Sequence, residues 1–146
     1  MSLKEQLAAD LKQSMKDKDK IAKSAITLVR AAILQIEKDE KKELFDDDII
    51  DVVSKQVKQR KDALSDFQKG NRQDLVEQTE REIEVLTKYL PQQLSEDELK
   101  VVVLNAINEV GATSMKDMGK IMSIVMPQIK GRADGKMVNK IVKENL

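Results

Sequence analysis

The chain of 146 residues can form one domain or two small ones, and a hydrophobic content of 40% excludes a disordered protein. Lys plus Arg equals Asp plus Glu at 26 each, so no global basic charge indicates a nucleic-acid binder. The absence of both Cys and His removes thiolate chemistry, the commonest general base and the usual zinc ligands.

The first part of the chain is predicted to form long helices. A first helix over about residues 3–16 has an apolar stripe that ends with Met15. A second helix begins at Asp19, counts Leu28 among its inward residues, and ends in a solvated charge run over residues 37–43.

Two more helices follow before the first proline. Aspartates at positions 46–48 open a third helix, because acidic side chains favour a first helical turn. Gly70 is predicted to close this helix, and Asn71 is predicted to cap the fourth helix. The fourth helix must stop at Pro91.

The helices become shorter beyond Pro91. Ser95 opens a helix with a capping box, and Gly111 ends it. Ser114 caps the next helix, which is predicted to end near Pro127. A last helix runs from about Gly135 to the C-terminus.

The predicted fold class is all-α. Residues 1–90 are predicted to form long N-terminal antiparallel helical hairpins, and residues 92–146 a compact three-helix C-terminal domain. No segment alternates with period two between turn residues, so we expect no sheet. No apolar run long enough for a signal peptide or a membrane span is present, and we predict a cytoplasmic protein without a membrane partner.

Four short motifs give a family resemblance that covers the whole chain. They are KQRKDA at residues 58–63, YLPQQL at 89–94, MGKIM at 118–122 and KGRADG at 130–135. Their order and spacing resemble the GatB/YqeY family, and in particular its stand-alone members. Residues 92–146 are also similar to the tail of GatB, a subunit of the tRNA-dependent amidotransferase.

The resemblance implies that residues 92–146 contact tRNA and perform no chemistry. The GatB catalytic cradle has no counterpart in this chain. One difference lies at Asp134 and Gly135, where GatB tails tend to have Asn-Pro. We predict no catalytic residue and no cofactor.

The C-terminal basic set is the first candidate nucleic-acid site. Between residues 115 and 146, seven basic residues stand against three acidic ones. A local surplus of this kind binds phosphates through counterion release, although a solvated helix face is the plainer interpretation. The seven residues are Lys116, Lys120, Lys130, Arg132, Lys136, Lys140 and Lys143.

A secondary patch is predicted on the third helix, where no acid interrupts residues 52–61. We call it the α3 basic set, and a solvated face is again the alternative. Its members are Lys55, Lys58, Arg60 and Lys61.

The loop between Gly131 and Gly135 is a third candidate, as an anion-binding loop. It is not a P-loop, because its glycines are one residue too close and Met137 replaces the Ser or Thr that binds magnesium. Backbone N–H groups before a helix can still hold an anion. The alternative is that Asp134 caps the helix itself.

No metal site is predicted. Aspartates at 46, 47, 48 and 51 fail the calcium-loop pattern, because Asp51 stands at the glycine position and Val57 at the position of the bidentate Glu. Helix capping explains these aspartates instead.

The resulting hypothesis is a tRNA-binding accessory protein, with a tRNA-charging or amidotransferase protein as a further candidate partner. One alternative is a protein–protein interaction module or a homo-oligomeric helical scaffold without an RNA role. Another is participation in carbon–nitrogen ligase activity with glutamine as amido-N-donor, which the family name implies. The oligomeric state does not follow from the sequence.

Overall fold

The computed structural model describes all 146 residues, and its regular structure is helical throughout. This confirms the all-α prediction. No helix combines the length and the apolar character that a membrane-spanning segment needs. The helices are α1 Leu3–Lys16, α2 Lys20–Glu40, α3 Asp46–Lys69, α4 Gln73–Thr87, α5 Glu96–Val110, a 3-10 turn Met115–Asp117, α6 Met118–Ile129 and α7 Gly135–Asn145.

The chain divides into two compact units. The N-terminal unit is Met1–Leu90 and the C-terminal unit is Pro91–Leu146. Each unit has its own cluster of buried apolar side chains.

Helix α2 is the central element of the N-terminal unit, because it packs against α1, α3 and α4. Its residues Ile26, Val29 and Ile33 are buried together with Val53 and Leu86 of the neighbouring helices. Full burial of each such side chain contributes about 1.5–3 kcal/mol. The predicted start of α2 is confirmed, since the Asp19 carboxylate accepts the Ala22 N–H at 3.0 Å.

Two inward positions predicted for this unit are wrong. The side chain of Met15 is 48% exposed, and Ser14 is buried in its place with its hydroxyl donating to the Leu11 carbonyl. Leu28 is 52% exposed, because Ile26 and Val29 already occupy the core face of α2. With about 3.6 residues per turn, adjacent positions such as 14 and 15, or 28 and 29, fit the same apolar pattern almost equally well. The position of the core decides which of the two is buried.

The charge run over residues 37–43, in which α2 ends, is also less solvated than predicted. Glu37 is partly buried, and its carboxylate accepts the Leu44 N–H at 2.8 Å and a hydrogen bond from Lys4. These two bonds lower the pKa of Glu37, with the Lys4 ammonium making the larger contribution.

The junction between α3 and α4 lies one residue later than predicted. Gly70 keeps a negative φ of −85°, and Asn71 is the left-handed residue with φ 54°. The Arg72 N–H donates to Phe67 and the Asn71 N–H to Gln68, which is the Schellman pattern of helix termination. Asn71 is therefore the left-handed residue that follows α3, and Arg72 is the N-cap of α4 without a side-chain hydrogen bond.

In the C-terminal unit, α5 packs against both α6 and α7. The predicted capping box is confirmed, since Ser95 and Glu98 exchange hydrogen bonds of 3.1 Å with each other's backbone N–H. Gly111 ends α5 with φ 68°, as predicted.

The helix predicted to end near Pro127 ends two residues beyond it. Helix α6 continues through Pro127 to Ile129, which is 1% exposed in the core. Pro127 lacks the N–H that would bond the Ser123 carbonyl, but both residues are exposed, so water can satisfy that carbonyl. Burial of Ile129 holds the last turn in place.

Candidate nucleic-acid interface

Helix α7 is amphipathic, with apolar residues on one side and lysines on the opposite side. Val138, Ile141 and Val142 are buried against the rest of the unit. At about 100° per residue, the positions i, i+4 and i+7 lie within about 60° of one another, on the side opposite the core. Three exposed lysines occupy this side, which we call the α7 lysines: Lys136, Lys140 and Lys143.

Two of the three α7 lysines lack an ion-pair partner. Lys140 and Lys143 form no salt bridge. Glu144 is the only acidic residue within α7. Asp134, just before the helix, accepts the Lys136 backbone N–H at 3.0 Å as the N-cap.

Three other members of the C-terminal basic set are exposed on the α6 side of the unit. Lys116 lies in the 3-10 turn, Lys120 lies in α6, and Lys130 follows the end of α6. None of the three lies in α7, so the seven residues do not share one helical face.

Arg132 has a structural role that the sequence did not indicate. Its Nε donates to the Gln92 carbonyl at 3.0 Å, and its own carbonyl accepts the Leu94 N–H at 2.9 Å. The Gln93 side chain donates to the Gly131 carbonyl at 2.7 Å. Hydrogen bonds therefore join the segment after Pro91 to the loop before α7, and residues 92–94 of the YLPQQL motif contact the KGRADG motif within the C-terminal unit.

The predicted anion-binding loop is occupied from within. The Asp134 carboxylate caps α7 where an anion would otherwise approach the backbone. Gly131 has φ 72°, which explains a glycine at that position by its backbone alone. A methyl group at Gly135 would meet no neighbouring protein atom, so packing within the chain does not require a glycine at this position. These contacts favour the alternative in which Asp134 caps the helix.

The α3 basic set is divided by the structure. Lys55, Lys58 and Lys61 are exposed. Arg60 instead pairs with Glu82 of α4 at 3.1 Å, and only 13% of the Arg60 side chain and 19% of the Glu82 side chain are exposed. Arg60 thus joins α3 to α4 and is not part of an outer surface.

A charged cleft in the N-terminal unit was not predicted, because its residues come from three separate helices. It has a volume of about 250 Å³ and lies between α1, α2 and α4. Arg81 pairs with Asp19 at 3.1 Å and with Glu84 at 3.4 Å, and Asp10 accepts a hydrogen bond from the Tyr89 hydroxyl. Burial, followed by the contact with Asp10, raises the pKa of Tyr89. The carboxylates that line the cleft are thus held by internal hydrogen bonds and ion pairs.

The fold and the surface define a two-unit helical protein with exposed lysines on its last helix. A family model described as "Yqey-like protein" matches residues 4–146. The chain belongs to this family, which confirms the resemblance drawn from the four motifs.

Two similar relatives carry the name "Altered inheritance of mitochondria protein 41, mitochondrial". The protein of Pyrenophora tritici-repentis is 31% identical over 141 residues, which cover 94% of this chain and 77% of the relative. The protein of Lachancea thermotolerans is 39% identical over 107 residues, which cover 71% of this chain and 57% of the relative. The prediction of a cytoplasmic protein is contradicted by these names, which place the relatives in mitochondria.

Proposed function

We propose that this protein is a tRNA-binding accessory protein in which the α7 lysines contact the phosphate backbone. The observation that carries the proposal is the basic outer side of α7, where Lys140 and Lys143 form no salt bridge. The resemblance of residues 92–146 to the tail of GatB, drawn from the sequence motifs, also supports it.

The number and placement of the lysines determine the kind of binding. At a rise of about 1.5 Å per residue, Lys140 and Lys143 lie about 6 and 10.5 Å along the helix from Lys136. Three phosphate contacts release counterions and give moderate, salt-dependent affinity even though the whole chain is neutral.

The scarcity of aromatic side chains favours a folded RNA over a single strand. Single-strand binders stack successive bases on aromatic rings. Tyr89 is 3% exposed, which leaves Phe45, at 65%, as the one strongly exposed ring. A folded RNA can instead be recognised by its shape and phosphates.

The test is a titration of the full chain with purified tRNA at several salt concentrations. Wild type is expected to show a log–log salt slope of about −2 to −3, as three phosphate contacts require. The double variant Lys136→Glu/Lys140→Glu should bind at least about tenfold more weakly at low salt, with a shallower slope.

A matched control keeps the same change of charge and the same spacing. Lys12→Glu/Lys16→Glu alters two exposed lysines of α1 at positions i and i+4. This control should bind tRNA within about twofold of wild type at moderate salt, where long-range effects of net charge are screened. Equal binding by wild type and the α7 variant would refute the proposed surface. Equal binding of an unstructured RNA of the same length would refute recognition of a folded RNA.

A further inference from the structure

The outer face of α2 carries apolar side chains that the N-terminal unit does not use. Leu28 is 52% exposed and Leu34 is 65% exposed, and Ala31 between them is also exposed. The three residues follow at intervals of three and so form one row along the helix surface, which we call the α2 row. We propose that the α2 row docks an amphipathic helix of a partner protein whose apolar stripe is bordered by acidic residues.

The charge beside the α2 row selects an acidic partner. No acidic residue occurs between Asp19 and Glu37, although the chain contains 26 acidic residues. Lys23 and Arg30 lie within about 20° of each other around the helix, on one side of the row. Neither forms a salt bridge. Glutamates that border a partner's apolar stripe would meet these two cations, whereas lysines in their place would be repelled.

The shape of the α2 row suits a helix. Ala31 is small and leaves a hollow between Leu28 and Leu34, and a partner side chain can enter this hollow as a ridge enters a groove. The row is also held rigidly from behind, since Ile26 and Val29 are buried and the Leu28 carbonyl accepts a hydrogen bond from Gln56 at 3.4 Å. A face that is already ordered loses little entropy when it binds.

Other occupants fit these observations less well. A phosphate backbone gains nothing from two exposed leucines. A bilayer needs more apolar area than Leu28 and Leu34 supply, and the α2 row contains no aromatic side chain. The proposal goes beyond tRNA binding, because the α2 row belongs to the N-terminal unit and the α7 lysines belong to the C-terminal unit.

The test uses two synthetic helical peptides of 21 residues and the full chain. Both peptides carry leucine at heptad positions a and d; one has glutamate at e and g, and the other has lysine. Wild type should bind the glutamate peptide at least about tenfold more tightly than the lysine peptide. The variant Leu28→Gln/Leu34→Gln should lose at least about tenfold of that affinity.

The control variant Met15→Gln removes an apolar side chain of similar exposure from α1 and should leave peptide binding unchanged. Both variants should keep the wild-type circular dichroism and tRNA affinity, since the altered side chains are exposed and lie outside α7. The proposal is overturned by absent peptide binding, by equal affinity for both peptides, or by unaltered binding in the Leu28/Leu34 variant. Two other results would assign the α2 row to a different occupant and so overturn the proposal. One is vesicle binding, to phosphatidylcholine and phosphatidylglycerol, that the Leu28/Leu34 substitutions abolish. The other is self-association, measured by sedimentation, that the same substitutions abolish.

Discussion

Replacing Tyr89 by phenylalanine removes a single hydroxyl from the N-terminal unit. The ring of Tyr89 is 3% exposed, and the hydroxyl donates to the Asp10 carboxylate on α1. A hydrogen bond to a charged group contributes about 1.5–3 kcal/mol. Asp10 also lines the open cleft, where water can replace the lost donor. We therefore expect Tyr89→Phe to lower the free energy of unfolding by about 1–2 kcal/mol and the melting temperature by about 5–10 °C.

The same contact makes stability depend on pH in the alkaline range. Burial, and then the Asp10 carboxylate, raises the pKa of Tyr89, so the folded state holds the phenolic proton more tightly than the unfolded state does. The contribution of this group is complete below the unfolded pKa of about 10 and declines as the pH rises above it. The decline amounts to at most about 1.4 kcal/mol per pH unit. The Tyr89→Phe variant has no phenol at this position and therefore lacks this part of the pH dependence of stability.

Two measurements check this reasoning. Tyr89 is the only tyrosine and the chain has no tryptophan, so absorbance near 295 nm follows this phenol alone. The folded protein should titrate well above the pH at which it titrates in denaturant. Thermal melts followed by circular dichroism should show a steeper alkaline decline for wild type than for Tyr89→Phe. Titration of the folded protein near pH 10, or parallel declines for both proteins, would refute the buried hydrogen bond.

Two further predictions concern other contacts. Asp19→Ala should cost about 1–2 kcal/mol in urea unfolding, because Asp19 caps α2 and pairs with Arg81. The pKa of Asp19 is lowered, chiefly by the Ala22 N–H, so the difference from wild type should shrink below about pH 4; a constant difference would count against the cap. Gln93→Ala removes the bonds to the Gly131 and Pro91 carbonyls and should speed exchange of the Leu94 amide by about tenfold, measured by hydrogen exchange with Gln92→Ala as control. An unchanged exchange rate of the Leu94 amide in Gln93→Ala would contradict a stabilising role for these hydrogen bonds.

The helix starts predicted at Asp19 and Ser95, and the stop at Gly111, are all found in the structure. These signals could be predicted from the sequence because each depends on hydrogen bonds between residues at most five positions apart. The shift from Gly70 to Asn71 shows the limit of such signals, since glycine and asparagine both tolerate the left-handed geometry that ends a helix, and the two are adjacent here.

Local sequence patterns did not predict which cations are exposed and which form internal contacts. For Lys140 the spacing to Lys136 and Lys143 is local, and it is enough to place the three residues on one side of α7. Arg60 and Arg132 were grouped with exposed cations, yet their partners lie 22 and 40 residues away in the chain. No local pattern identifies such partners.

The amino-acid sequence alone determined an all-helical chain, most of its helix boundaries and its family, because capping and apolar periodicity act over a few residues. Tertiary structure decided which cations form hydrogen bonds or ion pairs between distant segments, and which face of α2 remains uncovered. Those outcomes depend on which helices pack together, and only the folded chain brings residues from distant helices within the range of a hydrogen bond or an ion pair.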